Sequence, residues 1–181
     1  VKEGKFMGGQ KGATVTLNYS RAQDIDRDSS NVETDHAYKS KFFKLSPNIY
    51  YEDFNVEYNV KMTKKFRLIL SYIYLNYNRD VIEGRTGNGH IYSHTGIVEM
   101  NYRISPKYNI RTELQHLYSK QGEGSWALFL AEFSVAPSWF IGGFWQNNYG
   151  NNDASRRFTY GNLSFGYTKG ANRIAFGYGR Q

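Results

Sequence analysis

The sequence predicts an all-β fold, an antiparallel up-and-down β-barrel that crosses a membrane, and three observations carry that expectation. Apolar and polar residues alternate with period two over much of the chain. About nine such segments follow one another with no long amphipathic helix between them. The links between them are alternately tight and long, the asymmetry of barrels with short turns at one end and long loops at the other.

In the first segment, residues 12–22, Ala13, Val15, Leu17 and Tyr19 share one face and Thr14, Thr16, Asn18 and Ser20 the other. A helix would scatter them around its circumference. In the second, 49–62, the row from Phe54 to Met62 opposes Asp53, Asn55, Glu57, Asn59 and Lys61. The third, 66–78, is apolar on both faces, yet its length and aromatics still predict a strand. In the fourth, 91–104, Val98, Met100, Tyr102 and Ile104 oppose Ile97, Glu99, Asn101 and Arg103. The fifth, 108–120, sets Tyr108, Ile110, Thr112, Leu114, His116 and Tyr118 against Arg111, Glu113 and Gln115. The sixth and seventh, 125–135 and 139–148, alternate poorly. The eighth and ninth, 158–168 and 173–180, restore the pattern through Leu163, Phe165 and Tyr167, then Ile174, Phe176 and Tyr178.

The links at 62–65, 105–107, 136–138 and 169–172 are turn-sized, and the last three hold Pro or Gly where turn chemistry wants them. Between them lie polar stretches at 23–48, 79–90, 120–124 and 149–157, of which 23–48 reads as a long extracellular loop. The first strand then runs outward and so does the ninth. A bacterial single-chain barrel normally has an even strand number and must close. The 181 residues are therefore expected to be a fragment of a larger even-stranded barrel, with at least one strand missing after Gln181.

Composition fits. The chain has 16 Tyr and 12 Phe, a strand-favouring supply, and no Cys, which removes disulfides, thiolate metal sites and a Cys nucleophile. Mean hydropathy is −0.65, and no run approaches the ~18 apolar residues of a spanning helix. A barrel keeps averaged hydropathy low because only one face of each strand meets lipid. The start, Val1 to Phe6, has no apolar signal core, so the chain reads as mature or as excised from a longer one.

Several runs resemble a known family: Tyr77 to Gly84, Arg111 to Gln115, Gly124 to Ala127, Ser134 to Trp139, Lys169 to Arg173, and Phe176 to Arg180. From about Tyr50 onward they resemble the C-terminal half of an uncharacterised Bacteroidota outer-membrane β-barrel family, a domain of unknown function. The resemblance implies a fold and a location, the cell outer membrane, but no activity. In that family the chain continues into a final strand ending in an aromatic residue, whereas here it stops at Gln181.

No constellation supports an enzyme. Glu57, Lys61, Arg67, Glu99, Arg103, Arg111 and Glu113 are expected to face the lumen near the tight turns, as a solute-filtering lining or as an ion-pair network holding the wall together. Glu99 and Glu113 have too many bases nearby for paired-carboxylate chemistry. Ile69, Ile73, Leu75, Leu128 and Leu130 are apolar candidates for the same face, lining a route for a hydrophobic ligand, contacting a plug or filling a narrow barrel. His94 is expected almost opposite His116, without the carboxylate that would complete a metal site. His116, Ser119 and Glu113 fail as a triad because the last two take the opposite face. The run Gly84 to Gly89 has no following helix to present amides to a phosphate and is a loop. No cofactor is implied.

Val60, Leu114 and Phe165 are expected to face lipid. A formal charge of +7 and the placement of Arg21, Arg79, Arg85, Arg156 and Arg157 beside the long loops fit contact with lipopolysaccharide phosphates, or a solvated basic surface. Nucleic acid is not expected as a partner, because the aromatics follow the lipid-facing alternation and form no stacking platform. The function expected is a structural, channel or transport component of a Gram-negative outer membrane, with other outer-membrane proteins as candidate partners. The reading from another class is a soluble secreted all-β ligand-binding module.

Overall fold

A computed structural model describes residues 12–28, 39–84 and 86–180, as main chain only at 27–28 and 39–43. The strands are β1 (Ala13–Asp28), β2 (Lys39–Lys61), β3 (Phe66–Asn78), β4 (His90–Arg103), β5 (Tyr108–Tyr118), β6 (Trp126–Val135), β7 (Trp139–Asn148), β8 (Thr159–Lys169) and β9 (Asn172–Arg180). A one-turn helix, α1 (Arg79–Glu83), follows β3, and a 3-10 turn covers Ala154–Arg156. All nine strands form one antiparallel sheet in chain order, so every connection is a hairpin. β1 and β9 are not paired with each other.

The tight turns rest on short side chains. Thr63 Oγ1 accepts from the amides of Lys65 and Phe66 at 3.2 and 2.9 Å, and Ser105 Oγ accepts from those of Lys107 and Tyr108 at 3.1 and 3.3 Å. Ser and Thr nucleate turns this way because a hydroxyl replaces a backbone acceptor. Gly170 supplies the positive φ of the last turn, at 60°.

Among the described residues, the other end of the sheet, with its long connections and the strand ends beside them, holds most of the buried side chains. Asn148, 1 % exposed, donates from Nδ2 to the Glu123 carbonyl at 2.8 Å, and Asn151 Nδ2 donates to Glu123 Oε2 at 3.1 Å. Gly150 N donates to Ser125 O at 3.1 Å, locking loop 119–125 against loop 149–158. In loop 79–89, Asp80 accepts from the amides of Asn88 and Gly89 at 2.8 and 3.1 Å, and the Asn88 amide foremost holds its carboxyl below the usual carboxylate range.

The stretch 23–48, expected as a loop, is largely strand. β1 runs on to Asp28 and β2 starts at Lys39, with register shifts at Ala22/Gln23, Gln23/Ile25 and Ile25/Arg27. Each shift breaks the two-residue period, so the sequence carries no alternation there for a reader to find. Lys44 Nζ to Asp26 Oδ2 at 2.7 Å is one tie between these arms.

Alternation dictates the two faces, and curvature distinguishes them. Direct pairing puts Val15, Tyr58, Leu70, Val98, Leu114, Phe129 and Trp145 in one row across the sheet. The opposite face carries the row Thr16, Glu57, Ser71, Ile97, Gln115, Leu128 and Gln146. Leu114 is 46 % exposed while its neighbour Glu113 is 9 % exposed. The apolar face is thus convex and open, and the polar face concave and shielded. Ile91 is the one buried hydrophobic side chain among the described residues, so this single layer has no internal apolar core.

Two outcomes test these contacts. Gly124 has φ +76°, and a Cβ there would lie 2.1 Å from the Gly150 carbonyl oxygen. Gly124→Ala should loosen both loops by about 1–3 kcal/mol, read as faster protease cleavage within 119–158. Because the folded carboxyl of Asp80 titrates below its unfolded value, its contribution is present above pH ~3.9 and is lost as pH falls through the folded value. Amide exchange at Asn88 and Gly89 should therefore accelerate only under acid, and Asp80→Ala should show the fast rate at neutral pH.

Candidate functional site

Among the described residues, the concave face is where register gathers charged side chains from several strands under shelter. Glu99 lies directly opposite Glu113, and Asn101 opposite Arg111, so Arg111 reaches both acids diagonally. Its Nη2 stands 2.9 Å from Glu99 Oε2 and 2.5 Å from Glu113 Oε2. Glu132 pairs directly with Arg111 from β6 and accepts from Ser134 Oγ at 3.1 Å. Gln115 donates to Glu113 Oε1, completing a network in which one guanidinium bridges two carboxylates and has a third, Glu132, opposite it on the next strand. Two acids opposite one another on a sheet repel, and the arginine between them removes that penalty.

Beyond the network the lining turns apolar. Ile69 faces Glu99, Leu130 faces Glu113, and Ile73, Leu75 and Leu128 share that face, as the sequence predicts. Trp126 and Phe144 join them. A concavity of about 220 Å³ lies among Thr95, Gln115, Leu117, Trp126, Leu128 and Gln146. Toward the tight turns the face opens into two larger concavities, of about 770 and 480 Å³, with Asn101 and Arg103 lining both.

The model of a family of unknown function, DUF6029, matches residues 1–181. The chain belongs to that family. Its match takes in the first fifty residues too, ahead of the stretch from Tyr50 where the sequence resemblance begins. No curated protein and no solved structure matches the chain.

The seven charged residues expected on one face do share the concave face of this DUF6029 chain. Of these, Glu99, Arg111 and Glu113 meet. Glu57 stands between Thr16 and Ser71, Lys61 opposite Arg67, and Arg103 opposite Asn109. Val60, Leu114 and Phe165 share the convex face.

The basic candidates beside the loops have local partners. Arg21 lies 3.7 Å from Glu52, Arg79 2.8 Å from Glu83, and Arg156 3.6 Å from Asp153, while Arg157 Nε donates to the Asn151 carbonyl at 2.9 Å. Arg85 lies outside the described residues. His94 pairs with Tyr118 and His116 with Gly96, so the two imidazoles are diagonal neighbours on the convex face, almost opposite each other as the sequence predicts. His94 Nδ1 bonds the Tyr72 hydroxyl at 2.8 Å and His116 Nε2 the Tyr149 hydroxyl.

Sequence reasoning missed Glu132, Trp126 and Phe144. All three sit in strands with apolar residues on both faces, where alternation gives no sign of side. Glu132 was accessible only through the register of β6 on β5.

Arg111→Met should leave three acids uncompensated on a shielded face. Unfolding in denaturant should show a loss of about 1–2 kcal/mol, reduced for partial exposure from the range for charge-assisted bonds. The coupled variant with Glu99→Gln and Glu113→Gln should recover part of it, and additive losses would remove the network.

Proposed function

We propose that this chain forms wall of a β-barrel in a Gram-negative outer membrane, its convex face against lipid and its concave face lining an aqueous passage, and that it serves as a structural or channel component. The observation that carries the reading is the inversion of the faces. Leu17, Leu163 and Phe176 are 64–68 % exposed on the apolar side, while charged and amide side chains take the shelter. In water such a single layer would forfeit apolar burial with no second layer to restore it, whereas in a bilayer the same face is solvated.

The aromatic placement supports the same reading. At the turn end Phe66 and Tyr102, Tyr108 and Phe133, and Trp139 and Tyr167 pair with ring centroids 6.5, 5.9 and 4.4 Å apart. At the loop end Tyr72, Tyr74, Tyr92, His94 and Tyr118 form a second belt. From Tyr92 to Tyr102 is ten residues, or ~34 Å along the strand, and a tilt of ~40° makes that ~26 Å along a normal. Apolar bands of outer-membrane barrels are ~25 Å tall and flanked by such girdles. The tight turns then lie in the periplasm and the long loops outside, where Arg79, Arg156 and Arg157 meet lipopolysaccharide phosphates while Arg79 and Arg156 keep their acidic neighbours. Because unpaired backbone in lipid costs several kcal/mol per group, the free edges of β1 and β9 must be paired in the membrane.

Leu114→Arg, at the centre of the band, should destabilise the inserted state by ~2–4 kcal/mol, with smaller losses for Val60→Arg and Phe165→Arg. Loss of heat-modifiable gel mobility reports it, and unchanged mobility in all three removes the lipid-facing assignment. For orientation, single Cys substitutions at Asn88 and Asn152 should react with an impermeant thiol reagent on intact cells. Those at Lys64, Lys107 and Gly170 should stay protected until the outer membrane is opened, and the reverse order inverts the topology.

A further inference from the structure

The concavity of about 480 Å³ at the turn end of β2, β3 and β4 is lined by five cations, Lys61, Lys64, Lys65, Arg67 and Arg103, and by no carboxylate. We infer that it is a binding site for a multivalent oxyanion of the phosphate class.

Lys61 and Arg67 lie directly opposite each other on the concave face, and like charges so placed destabilise a sheet. Arg103 falls diagonally across from Arg67 on the next strand, which adds a third positive charge to the same corner. Among the described residues none of these five has an ion-pair partner. Nearby on the same face the chain surrounds Arg111 with three acids, so unneutralised cations are not its rule for this surface.

The side chains are also arranged to receive a ligand. Asn59 Oδ1 accepts from Arg67 Nε at 2.9 Å, which orients the guanidinium and leaves its two Nη groups free for a forked contact. Lys65 Nζ donates to the Ile104 carbonyl at 3.1 Å and keeps two further protons. Thr63 Oγ1 accepts two turn amides, so its own proton remains to donate. A concavity of this size holds one or two tetrahedral groups with water, and is far too small for a polymer. The lining comes from two neighbouring hairpins and one turn, so the site stands whether or not the sheet closes in a membrane.

The phosphate group can belong to a free phosphorylated solute or to a phospholipid headgroup reaching the rim. Calorimetric titration of the full chain in non-ionic detergent, with sodium pyrophosphate in one arm and monomeric short-chain phosphatidylglycerol in the other, separates them. Saturable single-site binding of pyrophosphate at or below ~1 mM, weakening as salt rises, is the expected result. Saturation by the lipid alone assigns the same site to a headgroup. The double variant Arg67→Gln, Arg103→Gln should weaken whichever ligand binds at least about tenfold, as should Lys61→Gln, Lys64→Gln, while Lys169→Gln at another turn changes nothing. These side chains are exposed, and heat-modifiable mobility and circular dichroism check that each variant keeps its fold. No saturable binding in either arm, or equal affinity in folded variants of both pairs, overturns the proposal.

Discussion

Everything in this molecule depends on the two-residue period of the strand being kept in register across eight antiparallel pairings. A slip of one residue at any pairing would turn every following side chain to the other face. The row from Val15 to Trp145 would then carry the acids, and Arg111 would point away from Glu99 and Glu113. Register is held at both ends of each strand by different means. Thr63 and Ser105 set it at the tight turns, where a hydroxyl bonded to two amides fixes where the returning strand begins. Cross-strand pairs hold it in between, through stacked rings on one face and ion pairs on the other.

The two ends of the sheet are built on different physics. The turn end is short, exposed and cationic, and it contributes almost nothing to burial. At the loop end the chain buries amides and hydroxyls in place of hydrocarbon: Asn76, Ser93, Ser119, Ser125, Asn148 and Asn151 are all within 8 % exposure. Buried polar groups must find partners, and here they find backbone, as the Asn148 amide does at the Glu123 carbonyl and the Ser125 hydroxyl at the Ser119 amide and carbonyl. Loops fixed this way keep a constant outline without an apolar core.

Where the alternation was strict, in the turn-proximal halves of β1 and β2 and in β4, β5, β8 and β9, the sequence told both the strand and its face. Where both faces are apolar, in β3, β6 and β7, it told the strand alone. The concave face there is itself apolar, with Ile69, Leu130 and Phe144 in one row, so composition cannot distinguish the sides. The arms of β1 and β2 beyond Ala22 were illegible for another reason, because register shifts erase the period that a reader counts. Of the candidate site, the Arg111 network was legible from hairpin geometry, since Glu99 and Arg111 become diagonal neighbours once the turn at 104–107 is placed. The third acid, Glu132, required a neighbouring register that no local pattern announces.

Charge runs along the concave face in an order that its strands alone explain. The tight turns and the strand ends beside them carry Lys61, Lys64, Lys65, Arg67, Arg103, Lys107 and Arg173, next comes the acid-rich shell around Arg111, and then an apolar belt under the loops. An anion drawn to the cationic end meets carboxylates one row further in, so the face attracts negative charge at its turn end and resists it further along. Arg111 tempers that resistance by neutralising part of the acidic shell. The same guanidinium thus settles the repulsion between Glu99 and Glu113 that strand pairing creates and sets how sharply the potential changes between the two rows. Structural and electrostatic roles coincide in one side chain because the sheet is a single layer, with no second layer in which to keep them apart.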